Sequence, residues 1–395
     1  MFGLFYALKS PDFCLFLDEN YPFMKPNFSF WELQTWFSHV DFTIAGSGIT
    51  GLNCALQLRK KYPLAKILVL ERGSLPSGAS TKNAGFACFG SLSEIISDLK
   101  SHTEDEVLDI ITMRYNGLNL LRKTLGDKAI DYNHWGGYEL FFERNRELYE
   151  TCFEQMEAVN KLLNPIFNEN AFAAAENKFN FKNIQSKLIF NTTEGQINTG
   201  MMMNALLKLA EANNILILNN QTVSYFEELN NQVEIRTPHI SFKTRKFFIA
   251  TNGLSSKLGL TEVEPARSQV LVTKPIKNLH ITGTFHLDEG YLYFRNIDGR
   301  ILLGGGRNID KENEQTDSFE ITPKIHNYLD ELLKNTILPD LDYKIDHRWS
   351  GIMGVGDKKK PILKEISENV FCGIRLSGIG VAIGSLVGKE LADFA

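Results

Sequence analysis

The sequence predicts an α/β fold, α+β overall, in which a nucleotide-type βαβ unit is joined to a mixed sheet. Three observations carry this. An apolar strand pattern, Asp41 to Ala45, runs into Gly46, Gly48 and Gly51 at GxGxxG spacing, and a helical pattern follows. A second apolar run, Lys66 to Leu70, ends in Glu71, 20 residues after Gly51. Further along, strand-like alternation and hairpin signals recur between helical stretches. Together they define a Rossmann-like unit with a mixed-sheet partner domain.

The first element is the strand and its glycine loop. Gly46 permits the tight turn, Gly48 lets backbone approach a pyrophosphate, and Gly51 lets helix and strand pack closely. Ser47, Ile49 and Thr50 complete the loop. Leu52, Ala55 and Leu56 then repeat at helical spacing. The N-terminus of that helix offers free N–H groups and a positive dipole end to phosphate. Glu71, with Arg72 beside it, is placed to accept from a ribose 2′-hydroxyl. A carboxylate there repels a 2′-phosphate, which disfavours NADP.

The next element decides between NAD and FAD. "PSGASTKNAGFACFG", Pro76 to Gly90, is a long run of small and polar residues. Such a run lets backbone pass close to a large flat ligand, with Ser80, Thr81 and Asn83 as polar contacts. Ala84, Phe86, Ala87 and Phe89 make it too apolar for an ordinary surface loop.

Here the chain resembles the FAD-dependent amine and amino-acid oxidoreductases, the family of D-amino-acid oxidase, glycine oxidase and monomeric sarcosine oxidase. The family pattern is GxGxxG, an acid after the second strand, then GAS-x-(R/K)-N-(A/G)-G. The last of these reads Gly78, Ala79, Ser80, Thr81, Lys82, Asn83, Ala84, Gly85. "FFIATNG", Phe247 to Gly253, is similar to the family strand that closes over the cofactor. "RLSGIGVAIGSLVGKELADF", Arg375 to Phe394, resembles the final glycine loop and helix, whose N–H groups around Gly380, Val381 and Ala382 face the flavin's pyrimidine end. The resemblance implies a non-covalent FAD, held by the residues named above with Val223, Thr251, Asn252, Gly253 and Gly378. It covers residues 40 to 395.

Pattern reading divides the chain into an aromatic arm (1–40), a discontinuous FAD-binding domain (41–90, 192–255 and 346–395) and a substrate domain (91–191 and 256–345). The helical pattern from Glu94 to Gly126, the strand "GGYELFFE" and a hairpin around Asp298-Gly299 belong to the substrate domain. Met201 to Met203 read as core. Met24 is a second candidate start for the chain.

On the substrate side, Tyr291, Tyr293 and Arg295 share one face of a strand by period-2 alternation. Tyr293 and Arg295 are candidates to clamp a substrate carboxylate; cross-strand packing is the competing reading. "HRWSGIMGVGDKKKPIL" resembles the family segment W-x-G-x-R-x-x-T-x-D-x-x-P and keeps Trp349, Gly351, Asp357 and Pro361. Where amino-acid-oxidising members carry an arginine it has Met353, so either Arg295, Arg348 or Arg267 takes over, or the substrate lacks an adjacent carboxylate. Sarcosine-oxidase-like members tether FAD through a cysteine near this segment; none lies between 347 and 363. They also carry a lysine that helps oxygen react, and the matching position is Leu302, which favours a dehydrogenase over an oxidase. The electron acceptor is then a quinone, a carrier or oxygen.

Net charge is −5, which argues against a nucleic-acid partner. The run Lys358 to Lys360 reads as a solvated turn. Five dispersed cysteines, Cys14, Cys54, Cys88, Cys152 and Cys372, have no CxxC spacing, so free thiols, no metal site and a cytoplasmic location are expected. No apolar run reaches the length of a membrane span. The function so predicted is oxidation of the CH–NH bond of a small amine or amino acid. Two alternatives stand beside it: a 2-hydroxy acid dehydrogenase or tRNA-base-modifying enzyme of the same fold, and a flavin-binding redox subunit without turnover.

Overall fold

The computed structural model describes residues 28–395. Most of the expected arm, the Met24 start and Cys14 lie outside the described residues. Phe37, from the last stretch before the first strand, packs on Phe242 with ring centroids 5.7 Å apart.

Two eight-stranded sheets organise the fold. In the first, Val40–Ala45 pairs in parallel with Ile67–Leu70 on one side and Ser241–Ile249 on the other. Leu216–Leu218 extends the sheet beyond Ile67–Leu70, and Val370–Ile374 extends it beyond Ser241–Ile249, both in parallel. The hairpin of Tyr225–Leu229 and Gln232–Arg236 and the strand Ile362–Ser367 add antiparallel pairs. Helix Ile49–Lys61 covers the sheet together with Gly380–Leu391. These two helices approach so closely that a Cβ on Gly384 would meet Ile49 Cγ2 at 2.9 Å. Strands buried on both faces explain the near-continuous apolar runs of the central elements.

The second sheet runs Ile345–Val355, Glu264–Thr273, Arg300–Gly305, Leu292–Ile297, Thr284–Leu287, Gly137–Glu139, Lys187–Asn191, Phe172–Glu176. The expected cofactor-domain piece beginning at 346 therefore enters the first sheet only at Ile362, because Ile345–Val355 pairs with Glu264–Thr273. The expected hairpin is Leu292–Ile297 with Arg300–Gly305. Its two-residue turn puts Asp298 at φ 48° and Gly299 at φ 70°, the twist that a tight hairpin needs.

Alternation in this hairpin places the site. Phe285 and Phe294 stack at 4.5 Å in an aromatic core with Phe181 and Phe179. Their strand neighbours His286, Tyr293 and Arg295 necessarily point to the opposite face, toward the first domain. The helical stretch after residue 91 is two helices, Leu92–Leu99 and Glu104–Leu125, each opened by a capping box, at Ser91 and Thr103. No described helix is long and apolar enough to cross a membrane.

Candidate active site

A cavity of about 830 Å³ runs between the two sheets. At one end it is walled by the glycine loop. Gly46 has φ 102°, and a Cβ there would meet the Ala250 carbonyl oxygen at 2.8 Å. A Cβ on Gly51 would collide with the Gly46 carbonyl oxygen. The crowding at Gly48 is softer: its Cβ would meet the Ser80 hydroxyl at 2.7 Å. Ser80 Oγ accepts from Ile49 N at 3.0 Å and so caps the helix where it faces the cavity.

Glu71 is buried at this end and accepts from five donors. Oε2 takes Ser47 N (3.2 Å) and Ser47 Oγ (2.7 Å). Oε1 takes Gly73 N (2.9 Å), Ser77 N (3.3 Å) and Ser77 Oγ (3.0 Å). Two of these donors are rotatable hydroxyls, which can yield an acceptor site to a ribose.

Of the sequence-predicted cofactor residues, Gly46, Gly48, Ile49, Thr50, Glu71, Arg72, Gly78, Ala79, Ser80, Asn83, Ala84, Gly85, Phe86, Val223, Thr251, Asn252, Gly378, Gly380 and Val381 line the cavity. Ser47, Gly51, Thr81, Gly253 and Ala382 do not. Thr81 is turned out, with Oγ1 donating to the Pro76 carbonyl at 2.8 Å. Ser47 and Gly51 lie behind the wall, where they support it. Asn83, though in the wall, spends its side chain on the loop: Nδ2 donates to the Ala79 and Ser80 carbonyls, and Oδ1 accepts from Gly85 N at 2.9 Å.

The loop before helix Gly380–Leu391 is strained. Arg375, Ser377 and Gly378 have φ of 63°, 49° and 83°. Each non-glycine residue held this way costs on the order of 1–3 kcal/mol, and such residues cluster at functional sites. Leu376 N donates to Asn252 Oδ1 (3.1 Å), tying this loop to the turn after Ser241–Ile249.

The other end of the cavity is walled by Phe86, Cys88, Glu94, Ser268, His286, Glu289, Tyr291, Tyr293 and Met353. Tyr293 and Ser268 share a hydrogen bond of 2.8 Å. Phe86 presents its ring edge-on to both His286 (5.2 Å) and Tyr293 (5.5 Å). Three of the residues predicted here stand elsewhere. Trp349 donates Nε1–H to the Lys82 carbonyl (2.9 Å), clamping the small-residue loop from outside the cavity. Leu302 is buried with Ala84 and Val270 behind the wall. Arg295 is also behind it, 2 % exposed, in register opposite Leu302. The alternate carboxylate arginines are committed as well: Arg267 to Glu314 (2.8 Å) and Arg348 to Asp330 (2.8 Å).

Sequence reading missed the pair His286 and Glu194. His286 Nε2 lies 2.6 Å from Glu194 Oε1, which also accepts from Thr284 Oγ1 at 2.7 Å. Burial opposes a charge on His286, but Glu194 beside it prevails and holds its pKa up at about 9. Cys88 lies beside them, with its sulfur, the Glu194 oxygen and the His286 nitrogen within 4.8 Å of one another. Burial and the neighbouring Glu194 carboxylate raise the Cys88 thiol well above its ordinary range. Glu139, which accepts from Ser93, is pushed up to about 7 by burial. No sequence signal joined these residues, because 92 positions separate Glu194 from His286.

The chain matches the family described as FAD dependent oxidoreductase over residues 41–394. It is 23% identical to a probable oxidoreductase, OrdL, of Haemophilus influenzae, over 91% of this chain and 83% of that protein. A gamma-glutamylputrescine oxidoreductase of Escherichia coli is 25% identical over 89% of this chain and 83% of its own length. Glycine oxidase from Geobacillus kaustophilus superposes with a TM-score of 0.71 at 16% identity, covering 90% of this chain and 94% of that one. L-proline dehydrogenase from P. horikoshii superposes at 0.69 and 18% identity, covering 90% and 92%. The protein belongs to the FAD-dependent oxidoreductase family. It is an enzyme of that class, and FAD is its cofactor.

The residues present fit that cofactor. Thr50 and Thr251 carry buried hydroxyls with no hydrogen-bond partner among the described residues, and both line the cavity. The glycine loop offers backbone where a side chain would collide, and the buried carboxylate of Glu71 lines the cavity beside it.

Proposed function

We propose that the protein oxidises the CH–NH bond of a small amine or amino acid. The observation that carries this is the continuity of the cavity: it runs without a break from Glu71, past Ser80 and Gly85, to Tyr293 and His286. One side of the flavin loop is thereby open to a second, smaller ligand.

In this reading Gly46, Gly48, Thr50 and Ser80 hold the pyrophosphate, Glu71 the ribose, and Ala84, Gly85, Gly378, Gly380 and Val381 the ring. When bound, FAD supplies the acceptor for two electrons and a proton leaving as hydride. The remaining work belongs to the protein. Tyr293 and Phe86, set edge to face, form an aromatic corner that orients the substrate carbon. Glu94 and Glu289 attract a cationic amine to the wall. Tyr293, its phenol raised by burial, stays protonated and offers a hydrogen bond shared with Ser268. The bound ammonium first gives one proton to solvent water; as hydride then departs, the freed nitrogen lone pair closes a C=N bond, and water hydrolyses the imine. The reading keeps a quinone or carrier as electron acceptor ahead of oxygen, on the ground of the apolar Leu302, which is packed with Ala84 and Val270.

Anaerobic mixing of the yellow protein with a panel of amines, amino acids and 2-hydroxy acids tests the reading. Bleaching of the flavin by amines or amino acids is expected. Bleaching by hydroxy acids alone would reassign the substrate, and no bleaching at all would favour a redox subunit without turnover.

A further inference from the structure

Arg295 is among the largest fully buried side chains, and among the described residues it makes no salt bridge. Its Nε is buried and has no hydrogen-bond partner among the described residues. The acids that act on it, Asp131 and Asp298, are both solvent-exposed and act only at a distance. Burial lowers its pKa to about 10, so it is still charged near neutrality. An isolated buried charge is strongly unfavourable unless something answers it.

Its surroundings show what does. The guanidinium packs against Gly85, which has φ 75°: a Cβ there would meet Arg295 Nη2 at 2.8 Å and collide with the Ile197 carbonyl oxygen. Gly85 lines the cavity and Arg295 does not, so a single glycine separates the charge from the cofactor space. Register reinforces this position: Arg295 faces Leu302, whose side chain packs on Ala84 of the same loop.

We propose that Arg295 is a counter-charge to the reduced cofactor rather than a substrate clamp. Hydride brings the ring two electrons and one proton, so its net charge falls by one. The guanidinium behind Gly85 stabilises that added charge and draws the reduction equilibrium toward the reduced form. The inference rests on the proposed placement of the flavin ring beside Gly85.

The test compares the holoenzyme with Arg295→Met, Arg295→Gln and Arg295→Lys. FAD content is measured first, then the two-electron reduction potential against a reference dye. The Met and Gln variants are expected to bind FAD and to lose at least tenfold in the reduction equilibrium, about 30 mV for a two-electron couple. Arg295→Lys is expected to keep most of the wild-type value. Unchanged potentials in FAD-loaded Met and Gln variants would overturn the proposal. A raised KM confined to carboxylate-bearing substrates, with potential unchanged, would restore the clamp. Loss of FAD from all three would also overturn it, since Arg295 would then be needed for retention rather than for potential. A holoenzyme that no amine reduces, yet whose potential follows the charge at 295, would overturn the substrate reading and leave this one standing.

Discussion

His286, which lines the cavity, and Glu194 form a buried pair 2.6 Å apart. Folding brings the imidazole to a carboxylate that is fully buried. The groups facing the pair are Cys88, Glu94, Glu139 and the hydroxyl of Thr284. Glu94 and Glu139 add to the effect of Glu194.

The folded pKa of His286, about 9, exceeds its ordinary 6.5, so its stabilising contribution is complete below pH 6.5 and lost as pH rises to 9. Glu139, raised from 4.5 to about 7, acts with the same sign over a lower window. Urea unfolding of wild type and His286→Gln at pH 6.5 and pH 9 reads this directly. The stability gap between the two proteins is expected to narrow at the higher pH. A gap that stays constant would mean the imidazole is not charged in the fold.

Gly51 and Gly48 of the loop are expected to fail differently. Gly51→Ala drives a methyl into the Gly46 carbonyl, which is backbone and cannot turn aside. Its cost belongs at the upper end of the about 1–3 kcal/mol typical of overpacking. Gly48→Ala meets only the Ser80 hydroxyl. Adding Ser80→Ala should recover much of its lost thermal stability, though not of its FAD binding, and none of the stability lost in Gly51→Ala. FAD content and thermal midpoints of the four proteins decide it.

Removing the Glu71 carboxylate leaves buried donors without an acceptor. Hydrogen bonds to a charged group are worth about 1.5–3 kcal/mol each. Glu71→Ala should therefore cost at least about 3 kcal/mol in stability and abolish FAD retention. Ser77→Ala, which removes one donor of five, should be mild. Isothermal titration of FAD into the apoproteins, beside denaturant unfolding, separates the two effects.

The cofactor is expected to leave intact on acid precipitation. Cys88 is the cysteine in the cavity wall, and its thiol is held protonated by burial. Cys372 is fully buried in a central strand of the first sheet. A thiol attacks as thiolate, so neither is a suitable tether. Yellow colour in the supernatant, with a colourless pellet, is the expected result.

The cofactor half was legible locally. Strand, glycine loop, helix and terminal acid are contiguous, and each is encoded by short-range steric demands that a motif can carry. Alternation also determined that Tyr293 and Arg295 share a face. Tertiary structure decided how deep each one lies. Tyr293 reaches the cavity beside Phe86, while Arg295 stops behind Gly85, because Gly85 has no side chain to hold the guanidinium away. Trp349 was legible as a motif residue, but only the pairing of Ile345–Val355 into the second sheet turned it onto the Lys82 carbonyl. The union of Glu194 with His286 depends on strand register between distant segments, and no local pattern encodes that. Charge in the substrate half is thus a property of packing, set by which buried groups folding brings within hydrogen-bond reach.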